Sequence, residues 1–310
     1  MISYYNFGEE VNKSSKAAAE WVSVTNPTSE DIEYLSQHFD LPRDLFVSEY
    51  FPENITEIEQ INSEVLGECL YVVLINYNEV EPHSVEKGLY PVTFIFNEDM
   101  LITISDEKDQ SILPSIQNEV DAEVNSGELI ASFIQNMYQL YIAELIDLKV
   151  RIDDIDHRAR NTTKRETLLD LTDAERDMVF LEQTLDDQKQ TILSLLERDL
   201  FKKMNVEERS IKEIHKKIRK SDRLVEIYRD LIDTTGGLIS DMIDNRLNGI
   251  MEFLDSAQLV IAIPTLIFSL WGINTGGLFG TDTPLGSLIV VILAGLLGLA
   301  TFIYLKKKEY

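Results

Sequence analysis

The sequence predicts an α+β domain, then a long helical stalk, then two membrane helices at the C-terminal end. Three observations carry that expectation. Residues 1–118 contain short runs rich in β-branched and aromatic residues, set between turn signals. Residues 119–204 are nearly free of glycine and proline and repeat apolar residues at helical spacing. After Asp255 no charged residue occurs until Asp282, residues 259–271 are almost wholly apolar, and a second apolar run fills 285–305. At about 20 residues per crossing, these runs suffice for two transmembrane helices.

In chain order, residues 20–24 read as a strand, and Asn26-Pro27-Thr28-Ser29 as a turn able to cap a helix. Residues 29–39 place Ile32, Leu35 and Phe39 on one helical face. Strands are expected over 69–77, 90–96 and 100–105, with Asn97-Glu98-Asp99 turning between the last two. Such apolar strands require helices over the sheet to bury them. Residues 119–204 should form a helical hairpin. Its first helix, over 129–150, has an apolar face of Ile130, Phe133, Ile134, Met137 and Tyr141, and Asn161-Thr162-Thr163 marks the turn into a second helix over 168–200. Between them, 151–165 is highly charged. Asp153, Asp154, Asp156 and His157 could suggest a metal site, but adjacent helical residues point in different directions, and a solvated helix face explains the charges. The stalk, 205–255, starts basic and turns acidic after Glu226. Gly236-Gly237 is its weak point, at about 1 kcal/mol per glycine relative to alanine.

The first membrane helix, 256–274, has an unusual face. Asn248, Met251, Asp255, Gln258, Ala262, Thr265, Ser269 and Gly272 follow one another at spacings of three and four, forming a stripe that is polar or small apart from Met251. The same spacing runs back through Asp230, Thr234, Gly237, Asp241 and Asp244. Phe253, Leu259, Ile263, Leu266, Ile267 and Leu270 fill the positions between. Small residues let helices approach closely, so the stripe could be a packing seam. Repeated carboxylates have little use in a seam and fit a water-lined cation path in a symmetric oligomer. The outer loop, 275–284, has no Lys or Arg, whereas Lys306, Lys307 and Lys308 open the tail at 306–310. The positive-inside rule then places both termini in the cytoplasm. Ala294, Gly295 and Gly298 are candidates for packing against the first helix.

The composition narrows the classes. The net charge of −26 argues against a nucleic-acid surface and would gather cations near a pore mouth. Cys69 is the single cysteine, which leaves no disulfide framework, and the first ten residues lack a signal-peptide pattern. No nucleophile–base set or cofactor loop points to an enzyme.

The run from Asn245 through Asn274, with Gly272-Ile273-Asn274 at its end, a short loop, a second apolar helix and a lysine-rich tail, resembles the CorA-type divalent-cation channels. Gly272, Ile273 and Asn274 match that family's Gly-x-Asn signature. The resemblance implies a homopentamer in the plasma membrane, with the first span inside and the second outside. Each stripe residue then becomes a ring, Asn274 holds the hydrated ion at the outer mouth, and Lys306, Lys307 and Lys308 form a basic collar. Divalent ions would be both substrate and regulator, with no catalytic cofactor. Isoleucine between the glycine and asparagine is the form of the ZntB-like branch, so Zn²⁺, with or without proton coupling, stands beside Mg²⁺ with Co²⁺ and Ni²⁺. A non-transporting membrane scaffold is the other alternative.

Overall fold

The computed structural model describes residues 1–7, 12–13, 19–46, 56–78, 84–105, 125–161, 165–273 and 284–308. They form two compact units, Met1–Gly236 and Gly237–Tyr310.

The first unit is built on a seven-stranded sheet of order β2-β1-β3-β7-β6-β5-β4. Its strands are β1 (Ile2–Asn6), β2 (Asn12–Lys13), β3 (Trp21–Thr25), β4 (Glu57–Ser63), β5 (Gly67–Tyr77), β6 (Leu89–Phe96) and β7 (Leu101–Ser105). The β3–β7 pair is parallel and every other pair antiparallel. The β6–β7 hairpin turns where the sequence predicts it. Asn97 Oδ1 accepts from the amides of Asp99 and Met100, at 2.9 and 2.7 Å, and so holds the turn through its own side chain.

Helix α1 (Ser29–Phe39) starts at a capping box, in which the Asp31 amide donates to Thr28 Oγ1 and the Thr28 amide donates to Asp31 Oδ2. Leu35 and Phe39 lie on its buried face. They pack with Val22, Val24, Ile95, Ile102 and Ile104 on one side of the sheet. Alternation along β3 sends Trp21 to the other side, where its indole N–H donates to Thr103 Oγ1 at 3.0 Å.

After the short helix α2 (Val85–Gly88) come α3 (Ser126–Asn161) and α4 (Arg165–Glu197), the expected hairpin. Asn125 caps α3 by accepting from the Glu128 amide at 2.8 Å. The predicted face is buried throughout: Ile130, Phe133, Ile134, Met137 and Tyr141 are each at most 1 % exposed. Beyond Val73, the last residue of β5 paired with β4, helical side chains complete the ladder. The Ile75 amide donates to Gln188 Oε1 at 3.1 Å, and its carbonyl accepts from the Tyr141 hydroxyl at 2.8 Å. The helices are therefore bonded to the sheet as well as packed on it.

Both helices of the hairpin end elsewhere than expected. Helix α3 carries on through the charged run to Asn161, so only Thr162 and Thr163 of the predicted turn fall outside the described residues. The second helix does not reach residue 200. It ends at Glu197, and α5 (Asp199–Lys203) follows, burying Phe201 edge-on to Phe96. Asn205, at φ 53°, then turns the chain into α6 (Glu208–Gly272). Both carboxylate oxygens of Glu128 receive the start of α6, one from the Glu207 amide and the other from Ser210 Oγ at 2.9 Å. A carboxylate there also meets the positive end of the helix dipole.

The second unit holds the C-terminal part of α6 and α7 (Pro284–Lys308). Helix α6 passes through Gly236-Gly237 and residue 255 without interruption. Stalk and first span are one element, and the expected division at 255 is a change in composition alone.

Candidate functional site

Several acidic residues of the first unit are drawn into ion pairs. Asp153, Asp154 and Asp156 pair with Lys149, Arg158 and Arg160 one helical turn away, the last two at 2.8 and 2.9 Å. The charged run is therefore a laced helix face, and no group of three or more His, Cys, Asp or Glu able to hold a metal occurs among the described residues. Between α4 and α6, Glu182 pairs with Arg229 at 2.6 Å and Asp222 with Lys189 at 2.7 Å. The basic stretch at the start of α6 is bonded to the hairpin, because Lys217 Nζ donates to the Gln135 carbonyl on α3 at 3.0 Å.

A buried network fixes the hairpin beside the sheet. Arg151 donates to Asp177 at 2.7 Å and to Glu144 at 3.2 Å, while the Tyr77 hydroxyl donates to the other oxygen of Glu144 at 2.7 Å. Asp177 also accepts the Val85 amide at 3.1 Å, and its side chain is 4 % exposed. Burial raises the pKa of Glu144 above the usual carboxylate value, against the opposing pull of Tyr77 and Arg151.

In the second unit the stripe can be located directly. Asp241, Asp244, Asn248, Met251, Asp255, Gln258, Ala262, Thr265, Ser269 and Gly272 are all exposed on α6. Asp230 and Thr234 belong to the first unit and are exposed there. Helix α7 meets a different face of α6. A Cβ placed on Gly298 would lie 3.1 Å from Pro264 Cγ and 3.7 Å from the Val260 carbonyl, so the helices approach closely there. Val260, Ile263, Pro264, Ile267 and Trp271 are half-buried along this seam. Gln258 and Val260, Ala262 and Pro264, Thr265 and Ile267, Ser269 and Trp271 are each two residues apart. At about 100° per residue that is about 200°, which puts the stripe on the side of the helix away from the seam. The packing partner of the stripe is not this chain's second span.

Ala294 is fully buried and Gly298 lies against α6, as the sequence suggested. Gly295 does not take part: it is exposed, with nothing within 4 Å of an added Cβ.

The donor set along the stripe is oxygen-rich. Thr265 donates its hydroxyl proton to the Ile261 carbonyl at 2.8 Å, which leaves the hydroxyl oxygen to act outward as an acceptor. Gln258, Ala262, Thr265 and Ser269 line one open hollow of about 590 Å³, with Ile261 and Leu266 on its flanks. Leu266 thus borders the stripe. Gly272 ends α6, and Ile273 follows it, exposed. Asn274 lies outside the described residues, as does the loop through 283. Lys306 and Lys307 are exposed at the far end of α7, beside Lys308.

Both spans have the surface of membrane helices rather than of core helices. Their most apolar windows are 0 % and 17 % buried, and Ile261, Leu266, Leu288 and Phe302 are more than half exposed. The profile of the family described as CorA-like Mg2+ transporter protein matches residues 16–307. The chain belongs to this family. It is a membrane protein with two candidate C-terminal spans, of a family of divalent-cation transporters. Among curated proteins nothing matches. Among solved structures, the complete CorA magnesium transporter from Methanocaldococcus jannaschii matches with a TM-score of 0.78 at 14 % identity, over 100 % of this chain and 98 % of that one. Full-length CmaX gives 0.72 at 16 % identity, over 98 % and 97 %. The ZntB cytoplasmic domain from Vibrio parahaemolyticus gives 0.62 at 13 %, over 78 % and 98 %. These likenesses show a shared fold.

Proposed function

We propose that this protein carries Mg²⁺ passively into the cell, with Co²⁺ and Ni²⁺ as permeant surrogates, through a homopentameric pore lined by α6. The observation that carries this reading is the position of the stripe. Polar groups at membrane depth need protein or water beside them, and this stripe faces away from its own second span. Five copies around an axis would satisfy it, and would turn Asp255, Gln258, Thr265 and Ser269 into rings of oxygen.

Asn274 serves in this reading as the ring that holds the hydrated ion at the outer mouth. Mg²⁺ gives up water reluctantly, so recognition through its hydration shell suits amide oxygens. An asparagine ring also avoids the grip of a carboxylate ring, which would slow release. Inward movement needs no fuel, because 100 mV favours each doubly charged ion by roughly 4.6 kcal/mol. The lysine tail supports a plasma-membrane topology with both termini in the cytoplasm. Regulatory divalent sites would lie between subunits.

Zn²⁺ is the second reading, favoured by Ile273 in the signature. The chemistry of the path weighs against it. No His or Cys occurs after His215, leaving Met251 as the sole sulfur on the stripe, whereas zinc bound by protein prefers imidazole or thiolate. Uptake into proteoliposomes, with Mg²⁺, Co²⁺, Ni²⁺ and Zn²⁺ tested separately, decides between them. The expected result is Mg²⁺ flux that persists without a pH gradient and is inhibited by a stable hexammine cobalt complex. Zn²⁺ uptake requiring an inward proton gradient, without Mg²⁺ flux, would move the protein to the zinc reading. No flux of any ion would leave a scaffold.

A further inference from the structure

At the end of the membrane unit that carries the lysines, α6 and α7 enclose a hollow of about 360 Å³. Its walls are apolar apart from Ser256, with Phe253, Val260 and Ile261 on α6 and Phe302 and Leu305 on α7. Lys306 lines the same hollow, and Lys307 follows it, exposed. No acidic residue is among the lining groups, although the chain as a whole has a net charge of −26. A cation held at an apolar cleft runs against the net charge of the molecule.

We propose that this hollow binds one anionic glycerophospholipid from the leaflet at the lysine end, its acyl chain along the apolar walls and its phosphate at Lys306. The position suits this occupant, because Lys306 is the first charge after the apolar run of α7 and so falls at headgroup depth. Basic pockets between membrane helices recognise anionic headgroups in this way. A zwitterionic lipid offers the same acyl chains and phosphate, but its choline cation repels the ammonium of Lys306 and leaves the headgroup without net charge. Val260 belongs to the seam side of α6, so a lipid here would leave the stripe open. The inference rests on α6 and α7 spanning a membrane, and is independent of which ion the protein carries.

The test uses the full chain, purified in detergent as its native oligomer, incubated with equimolar phosphatidylglycerol and phosphatidylcholine, then washed and analysed for retained lipid by mass spectrometry. Wild type should retain phosphatidylglycerol over phosphatidylcholine about fivefold, the effect of one lysine at an anionic headgroup. Lys306→Gln, a surface change with no packing cost, should bring the two lipids close to parity. Ala257→Trp, which fills the hollow from its wall, should lower retention of both. Leu288→Trp, exposed on α7 outside the hollow, should behave as wild type. Equal retention of the two lipids by wild type would overturn the proposal, as would undiminished selectivity in Lys306→Gln. So would an Ala257→Trp chain that keeps its lipid and loses its oligomer, because the hollow would then be covered by a second copy.

Discussion

Replacing Arg151 by methionine isolates what holds the helical hairpin to the sheet. The guanidinium bridges Glu144 and Asp177, whose side chains are 11 % and 4 % exposed. Methionine keeps much of the side chain's bulk and leaves two buried carboxylates without their shared cation. Breaking a buried pair in this way costs about 3–5 kcal/mol. For a unit the size of Met1–Gly236 each kcal/mol lowers the melting temperature by about 2–4 °C, so even the lower bound predicts a fall of about 6–12 °C. The pH dependence has a definite sign. Glu144 has a raised pKa in the folded chain, so the folded state holds that proton more tightly than the unfolded one. The associated stability is present below the unfolded value and is lost as pH rises through the folded value. Removing Arg151 takes away a group that lowers this pKa and extends the window upward. The deficit of Arg151→Met should therefore be largest where Glu144 is ionised and shrink on acidification, as pH falls through its raised folded value. Thermal unfolding of the full chain measures both effects. Adding Glu144→Gln and Asp177→Asn should restore most of the loss by removing the stranded charges. A single variant that melts with wild type, or a triple variant no better than the single, would refute the reasoning.

Asn274→Ala should lower divalent uptake by at least about tenfold, equivalent to roughly 1.4 kcal/mol, without disturbing assembly; wild-type flux in an assembled variant would exclude the mouth ring. Cysteines at Gln258, Thr265 and Ser269 should react with water-soluble thiol reagents and block flux, while cysteines at Val260, Ile263 and Ile267 on the seam stay protected. Cys69 is buried, and burial pushes its thiol up to about 11, but it should still be replaced to give a clean background. Equal labelling of the two sets would favour a packed stripe over a path. Thr28→Ala should cost about 1 kcal/mol and speed hydrogen exchange in the first turn of α1, and unchanged exchange would show that the capping box contributes nothing. Asp31 is held below the usual carboxylate value, chiefly by its hydrogen bond from the Thr28 amide, so its share of stability is present at neutral pH and lost as pH falls through the lowered value.

What could be read from the sequence was what short-range chemistry encodes. Helix α1 has the predicted bounds because its cap, Thr28 with Asp31, lies within four consecutive residues. Strands β5, β6 and β7 are apolar enough to announce themselves. Strand β4, Glu-Ile-Glu-Gln-Ile-Asn-Ser, gave no such signal: its isoleucines are three apart and only half-buried, and its pairing with β5 is what makes it a strand. The stop at Arg198 was hidden for a similar reason, since neither glycine nor proline marks it and Phe201 turns there to reach Phe96. The stripe was visible as spacing, but its direction was not. That needed the second helix in place, with Gly298 against Pro264. Gly295 was misassigned because small size alone cannot say which side of α7 faces inward.

The contact between Gly298 and Pro264 also bears on how these two positions can vary. The proline ring cannot swing aside as a flexible side chain would, and at 3.1 Å from an added Cβ it would have to give by a few tenths of an ångström to admit one at position 298. Pro264 has no N–H to offer the Val260 carbonyl, so the backbone near Gly298 is already short of one bond. The two positions should therefore change together over evolutionary time. A chain without the proline would be free to enlarge residue 298, while one that keeps it favours glycine there, so the two positions constrain one another.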